Sequence, residues 1–163
     1  MIFVSVGTTT FEELVQRMDE LAPTLGEEVV CQIGRGVYTP KHCKYFRFAP
    51  SLDDYLRRAR LVIGHGGLGT VLGAVRHGKP FVGVSNPDRP DLHQDEILGR
   101  FEVGNYIIWC RSLDQLDECI ARAGKTAFAT YTEVPCQIPE VIERFLRGEA
   151  VEQRARPVLG VRL

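Results

Sequence analysis

Three segments of the sequence combine glycine or hydrogen-bonding residues with the start of a predicted helix, so each could bind an anion or a set of hydroxyl groups. The first, Gly7-Thr8-Thr9, follows an apolar run. Backbone N–H groups in such a position can bind a phosphate. A tight turn with a hydroxyl N-cap is the alternative interpretation of the same residues.

The second segment is rich in glycine and reads His65-Gly66-Gly67-Leu68-Gly69-Thr70. Because glycine destabilises helices, three glycines at a helix start indicate that the backbone must approach a bulky anion at the positive helix terminus. The segment is not a P-loop, because no Lys-Ser/Thr pair follows. Close packing of the helix on a strand is the alternative.

The third segment, residues 86–94, carries Asn86, Asp91, His93 and Gln94 just before and at the start of another helix. Such hydrogen-bonding side chains suit a polyhydroxylated sugar. The alternative is a solvated loop in which Asp91 caps the helix. His65 and His93 could be structural, although a nearby diphosphate would favour the protonated imidazole.

Short apolar runs alternate with segments of helical periodicity along the chain. The predicted strands are residues 2–6, 29–33, 45–48, 61–64, 80–84 and 106–109. Helical segments follow them, the last over residues 139–147. This alternation predicts a doubly wound, Rossmann-like α/β fold with a parallel sheet. We expect one domain over residues 1–147 and a poorly ordered tail over 148–163.

The composition restricts the classes of partner. The 163 residues are 44% hydrophobic and 25% charged, with a net charge of -1, so nucleic-acid binding is not expected. No apolar run approaches the roughly 20 residues of a membrane helix, and no signal peptide is expected. Five cysteines without a C-x-x-C pair indicate reduced thiols in a cytoplasmic protein, and four scattered histidines predict no zinc site.

Read in order, the motifs resemble the family-28-type C-terminal domain of GT-B glycosyltransferases. The resemblance rests on MIFVSVGT at 1–8, HGGLGTVLGAVRHGKP at 65–80 and DLHQ at 91–94, and it covers residues 1–147. It is strongest for free-standing donor-binding subunits. These are the soluble subunit of the eukaryotic dolichol-pathway N-acetylglucosaminyltransferase and the E-type subunits of bacterial exopolysaccharide glycosyltransferases.

The resemblance implies a UDP-sugar substrate and neither a cofactor nor a metal. By this likeness, Gly7, Thr8 and Thr9 lie near the phosphates, and residues 65–70 surround the diphosphate. Phe48 and Ala49 end the third strand, where the family places the base. His93 and Gln94 contact the donor sugar, and Asn86 and Asp91 complete the predicted donor site.

Two residues depart from the family pattern. Gly73 stands where many members have a Glu that can bind the ribose, and Leu92 stands where Asn is common. The missing carboxylate removes an acceptor for ribose hydroxyls.

A GT-B enzyme has two facing domains, and the resemblance covers only the donor half. The acceptor half usually supplies the catalytic base, so no catalytic residue is assigned. We expect the donor-binding subunit of a two-component hexosyltransferase of polysaccharide or lipid-linked oligosaccharide synthesis. It would be inactive without a membrane-associated acceptor-binding partner, would reach the membrane only through that partner, and could form homo-oligomers when isolated. The alternatives are a non-catalytic regulatory or scaffold subunit and a flavodoxin-like module for another phosphate ligand.

Overall fold

The computed structural model of the chain describes residues 1–88, 93–133, 136 and 138–149. It divides into two compact units, Met1–Tyr131 and Thr132–Leu163. The first unit is built on a parallel sheet, and the second contains one described helix. Most of the predicted tail lies outside the described residues.

Six parallel strands form the sheet of the first unit. They are β1 (Ile2–Ser5), β2 (Val29–Gln32), β3 (Lys44–Phe46), β4 (Leu61–His65), β5 (Phe81–Val84) and β6 (Ile108–Cys110). Their spatial order is β3-β2-β1-β4-β5-β6. The chain therefore winds outward from β1 in one direction and then restarts at β4 in the other. This order confirms the predicted doubly wound, Rossmann-like fold.

Helices connect the strands. They are α1 (Glu12–Leu25), α2 (Asp53–Arg58), α3 (Leu68–Arg76), α4 (His93–Val103) and α5 (Leu116–Ala123), with a 3₁₀ turn over Leu113–Gln115. In the second unit α6 spans Ile138–Leu146. Helix α1 continues past Pro23 and ends at Leu25, and Gly26 with its φ of 66° provides the left-handed cap.

Alternate residues of the buried strands pack on opposite faces of the sheet. Ile2 and Val4 of β1 join an apolar cluster with α1 and α5, whereas Phe3 joins a second cluster with α2, α3 and α4. This period of two is the geometry of an extended strand, and burial on both faces explains why the strands read as continuous apolar runs. The sheet thus provides a rigid platform for the loops at its carboxyl edge.

The third strand is shorter than predicted. It ends at Phe46, so Phe48 and Ala49 lie in the following loop, and the expectation that they end the strand is wrong. The cause is the edge position of β3, which pairs only with β2, and β2 itself ends at Gln32 opposite Phe46. Beyond that pair no strand backbone is available to extend the ladder. Conversely, β4 continues one residue further than predicted, through His65.

Candidate functional site

The candidate site lies where the strand order reverses, between the carboxyl ends of β1 and β4. These strands are paired in register, with Ser5 opposite Gly64, so the loops that follow them emerge side by side. In open α/β sheets, ligands bind in the crevice at such a switch point. The structure therefore brings together the first two segments singled out in the sequence.

The loop after β1 has a fixed conformation. Gly7 has a φ of 64°, which is the left-handed region that glycine tolerates best. The hydroxyl of Thr9 donates to the Val6 carbonyl at 2.9 Å, and the Gly7 N–H donates to the Ser5 hydroxyl at 3.3 Å. The Thr9 hydroxyl is therefore already used to shape the turn, and the backbone and the Thr8 side chain are the parts of this loop that line the recess for a ligand.

The imidazole of His65 fills the space between the two loops. His65 is 8% exposed, and its Nδ1 lies 3.5 Å from the Ser5 carbonyl oxygen. A Cβ added at Gly7 would lie 3.1 Å from the His65 Cε1, and one added at Gly67 would lie 2.5 Å from its Nε2. The ring is thus in contact with the backbone that would surround a diphosphate.

The three glycines of the second segment have different roles in the structure. A Cβ at Gly66 would lie 2.8 Å from the Gln94 Cβ, so Gly66 allows α4 to pack closely. Gly67 allows the contact with His65 and has an ordinary φ of -68°. A Cβ at Gly69 would meet nothing within 4 Å. Packing therefore explains Gly66 and Gly67, whereas no contact among the described residues requires a glycine at position 69, where the open space could admit a ligand.

The N-terminus of α3 opens onto the crevice at these glycines. Gly67 is the extended N-cap residue, and Leu68, the first helical residue, is 46% exposed. The Thr70 and Val71 N–H groups bond the Gly67 carbonyl. The N–H groups at a helix start have no helical partners and carry partial positive charge, so they attract an anion.

A recess of about 310 Å³ lies in this crevice, and we call it the switch-point recess. It is lined by Phe3, Gly7, Thr8, Thr9, Leu52, Leu56, His65, Gly67, Gly69, Thr70 and Gly73. Seven of these residues are in the predicted donor site. Sequence reasoning missed Phe3, Leu52 and Leu56, which form its apolar wall; the four-residue spacing of Leu52 and Leu56 was the available signal.

Hydrogen bonds of its own polar side chains fix the conformation of the third segment, residues 86–94, within its described part. Asn86 is 4% exposed; its N–H donates to the Gln94 Oε1 at 3.0 Å and its side-chain amide donates to the Thr10 carbonyl at 2.8 Å. The Asp88 N–H in turn donates to the Asn86 Oδ1 at 3.0 Å. Asn86 and Gln94 thus tie the loop after β5 to α4 and to the loop after β1.

Asn86 and Gln94 also line a second cavity of about 560 Å³, with Asp95 and Arg111 among its other residues. His93 is exposed at the start of α4, and Asp91 lies outside the described residues. The predicted sugar contacts of Asn86, His93 and Gln94 stay predictions.

Phe48 and Ala49 follow β3 at the same edge of the sheet. Phe48 is 56% exposed, which leaves an aromatic face on which a base could stack. The preceding Arg47 donates to the carbonyl oxygens of Gly34 and Gly36. This guanidinium therefore joins the loop after β3 to the loop after β2.

The loop after β2 supports the loop after β1. Gly34 has a φ of 53°, and a Cβ there would lie 2.3 Å from the Thr9 carbonyl oxygen. The Arg35 N–H donates to the same oxygen at 3.1 Å. Only glycine permits this close approach.

Asp19 of α1 fixes the far part of the loop after β2. It is 2% exposed and accepts bonds from the N–H groups of Lys41, His42 and Cys43 and from the Tyr38 hydroxyl. Burial opposes ionisation of this carboxyl, but the four hydrogen bonds outweigh it and lower the pKa of Asp19 from 3.8 to about 2. The carboxylate is therefore ionised at neutral pH and structural.

Within the described part of the chain, no cluster of His, Cys, Asp or Glu could hold a metal ion. No helix among the described residues is long and apolar enough to cross a membrane. None of the five cysteines, all of which are described, forms a disulfide.

Comparison with known proteins assigns the sequence of this chain to a family. The model of the glycosyltransferase family 28 C-terminal domain matches residues 1–106. The mouse UDP-N-acetylglucosamine transferase subunit ALG13 is 35% identical over 121 residues, which cover 66% of this chain and 10% of the mouse protein. The human protein of the same name is 33% identical, with 67% and 11% covered. The chain thus spans about a tenth of the length of these two relatives.

Solved structures share the fold. An NMR solution structure of ALG13 superposes with a TM-score of 0.55 at 22% identity, covering 89% of this chain and 94% of that one. The chain belongs to the glycosyltransferase family 28 C-terminal domain family, as the sequence motifs predicted.

Proposed function

We propose that this chain is the donor-binding subunit of a two-component, UDP-sugar-dependent hexosyltransferase. The observation that carries the proposal is the switch-point recess, where two glycine-containing loops and the start of α3 surround a space of about 310 Å³. The mouse and human relatives support the same function, since both are named as subunits of a UDP-N-acetylglucosamine transferase. Synthesis of a lipid-linked oligosaccharide or an exopolysaccharide is the proposed context.

The proposed chemistry is stabilisation of the leaving nucleoside diphosphate. When the bond between the sugar and the diphosphate breaks, negative charge grows on the phosphate oxygen. At the start of α3, the backbone N–H groups of Leu68 and Gly69 present fixed dipoles next to the recess, whereas the Thr70 N–H already donates to the Gly67 carbonyl. Dipoles that are already oriented stabilise developing charge without reorganising. His65, in contact with Gly67, would add positive charge when protonated.

We propose that a second, membrane-associated protein supplies the acceptor half of the site. The relatives are named as subunits, and the described lining of the recess contains no carboxylate; its histidine, His65, lies against Gly67 where the diphosphate is proposed to bind. Under this proposal the chain works at the cytoplasmic face of a membrane to which only the partner is anchored. The catalytic base would belong to that partner.

A regulatory or scaffold subunit is the second candidate function. The apolar wall of the recess favours it, because Gly73, Leu52 and Leu56 offer no hydrogen bond to a nucleoside. On this alternative the chain would bind its partner but bind nucleotides weakly.

Calorimetric titration separates the two functions. The chain, alone and with its partner, is titrated with UDP, UDP-glucose, UDP-glucuronate and UDP-N-acetylglucosamine, and sugar transfer is assayed in the same samples. We expect binding of UDP and of at least one UDP-sugar, and transfer only with the partner. Absence of UDP binding, even with the partner present, would exclude the donor-binding function. Full sugar transfer by the isolated chain would exclude the hypothesis that the enzyme needs a second component.

A further inference from the structure

The switch-point recess has a polar part and an apolar part. Its polar side chains are Thr8 and Thr9 of the loop after β1, His65 at the end of β4 and Thr70 in the first turn of α3. Its other side chains, Phe3, Leu52 and Leu56, are apolar, and the described lining contains no carboxylate or amide side chain. A ligand that enters the recess therefore meets hydrogen-bonding side chains only in its polar part, and apolar side chains elsewhere.

Gly73 lies in the apolar part. Gly69 and Gly73 are one turn apart on the same face of α3, and Gly73 lies about 7.5 Å along the axis from the first helical residue, Leu68. A Cβ at Gly73 would lie 3.3 Å from the Leu56 Cδ1, so the apolar wall adjoins this glycine directly. Gly69, Thr70 and Gly73 line the same recess, so a diphosphate bound at the first turn of α3 leaves the space beside Gly73 for the attached pentose.

We propose that the site holds the pentose of a nucleoside diphosphate by apolar contact and does not read its 2′-hydroxyl. This inference rests on the proposed function of the recess. A site built to hydrogen-bond a hydroxyl strongly rejects the analogue that lacks it, because the buried partner is left unpaired. Here no such side-chain partner is present beside Gly73, so 2′-deoxyribonucleoside and ribonucleoside diphosphates bind alike. Gly73 is the residue that sets this lack of discrimination.

The test compares UDP with 2′-deoxy-UDP by calorimetry on the full chain and on three variants. Gly73→Glu adds a carboxylate at the pentose, Gly73→Gln adds a neutral group of the same size, and Gly73→Ala adds only the Cβ. The informative quantity is the ratio of the two dissociation constants, because repulsion between the new carboxylate and the diphosphate affects both ligands equally.

We expect a ratio within about threefold for the unchanged chain and for Gly73→Ala. For Gly73→Glu we expect UDP to gain about tenfold over 2′-deoxy-UDP, the effect of one hydrogen bond to a charged group, and for Gly73→Gln a smaller gain. A preference of tenfold or more for UDP in the unchanged chain would overturn the inference and leave the proposed function intact. Binding of neither nucleotide would overturn both.

Discussion

The side chain of His65 occupies the place that a Cβ of Gly67 would need, since that atom would lie 2.5 Å from Nε2. The glycine and the histidine are therefore a packed pair, and the loop between β4 and α3 keeps its path only while residue 67 has no side chain. Two residues further along, Gly69 has open space around its missing Cβ. The two glycines can be used to separate the effects of packing from those of ligand contact.

Gly69→Ala is expected to lower affinity for UDP at least tenfold, about 1.4 kcal/mol, without lowering stability. The added methyl would enter the space through which a diphosphate approaches the α3 N–H groups, and alanine is a better helix residue than glycine. Gly67→Ala is expected to lower UDP affinity at least as much and to lower the melting temperature as well, because the His65 ring must move. Calorimetry and thermal melts measure both effects; unchanged UDP affinity in Gly69→Ala would contradict phosphate binding at this helix start.

His93→Ala is expected to weaken a UDP-sugar more than UDP alone, by about 0.5–1.5 kcal/mol for one neutral hydrogen bond. Its exposed position at the start of α4 means that the fold should not change. Gln94→Ala should have the same selective effect but also reduce stability, because the Gln94 Oε1 accepts from the buried Asn86 N–H. Glu96→Ala, exposed on the same turn, is the control. Equal losses for UDP and the UDP-sugar would assign both residues to the diphosphate or to structure.

Asp19→Asn is expected to reduce the free energy of unfolding at pH 7 by about 1–3 kcal/mol, because an amide NH2 replaces an acceptor that faces backbone N–H donors. The folded-state pKa of Asp19 is about 2, below its usual 3.8. Its stabilisation is therefore complete above about pH 4 and is lost as the pH falls toward 2. Urea unfolding between pH 2 and 7 should show a shallower pH dependence in the variant.

The matched control is Glu20→Gln, which removes an exposed carboxylate paired with Arg17 at 3.2 Å. Surface pairs of this kind contribute about 0–1 kcal/mol. If Asp19→Asn unfolds with the same midpoint and pH dependence as this control, Asp19 does not fix the loop.

Removal of residues 138–163 is expected to leave a folded, UDP-binding unit that no longer co-purifies with the acceptor-binding partner. Helix α6 carries an apolar stripe, and its side chains are exposed: Ile138, Val141, Ile142, Phe145 and Leu146. An amphipathic helix of this kind suits a groove on another protein. Packing of the stripe on the chain's own sheet is the alternative, and unfolding of the truncated chain would establish it.

A single substitution tests the same surface with less disturbance. Phe145, 71% exposed, is replaced by Ser, and Glu140→Gln on the same helix is the control. We expect partner affinity to fall at least tenfold in the first and to be unchanged in the second, since aromatic residues dominate many interfaces. Full partner binding by Phe145→Ser would place the interface elsewhere.

The sequence by itself determined the fold class and the two loops of the switch-point recess. Both are local signals: apolar runs alternate with helical periodicity, and glycines such as Gly7 and Gly67 follow the ends of strands. Because the carboxyl ends of parallel strands meet at one edge of the sheet, the loops that follow the strands become neighbours. The end of β3 was wrongly predicted, because edge position is a property of the whole sheet and not of residues 45–48.

Only the tertiary structure decided which role each residue has within the site. A Cβ added at Gly66 would meet Gln94, and one added at Gly67 would meet His65. One added at Gly69 would meet no atom within 4 Å, although the three glycines look alike in the sequence. Likewise Asp19 reaches residues 22 to 24 positions away, where it fixes a loop. Such contacts depend on strand order and register, which bring together residues that are distant along the chain. Periodicity specifies which face of an element is buried, but not what it is buried against.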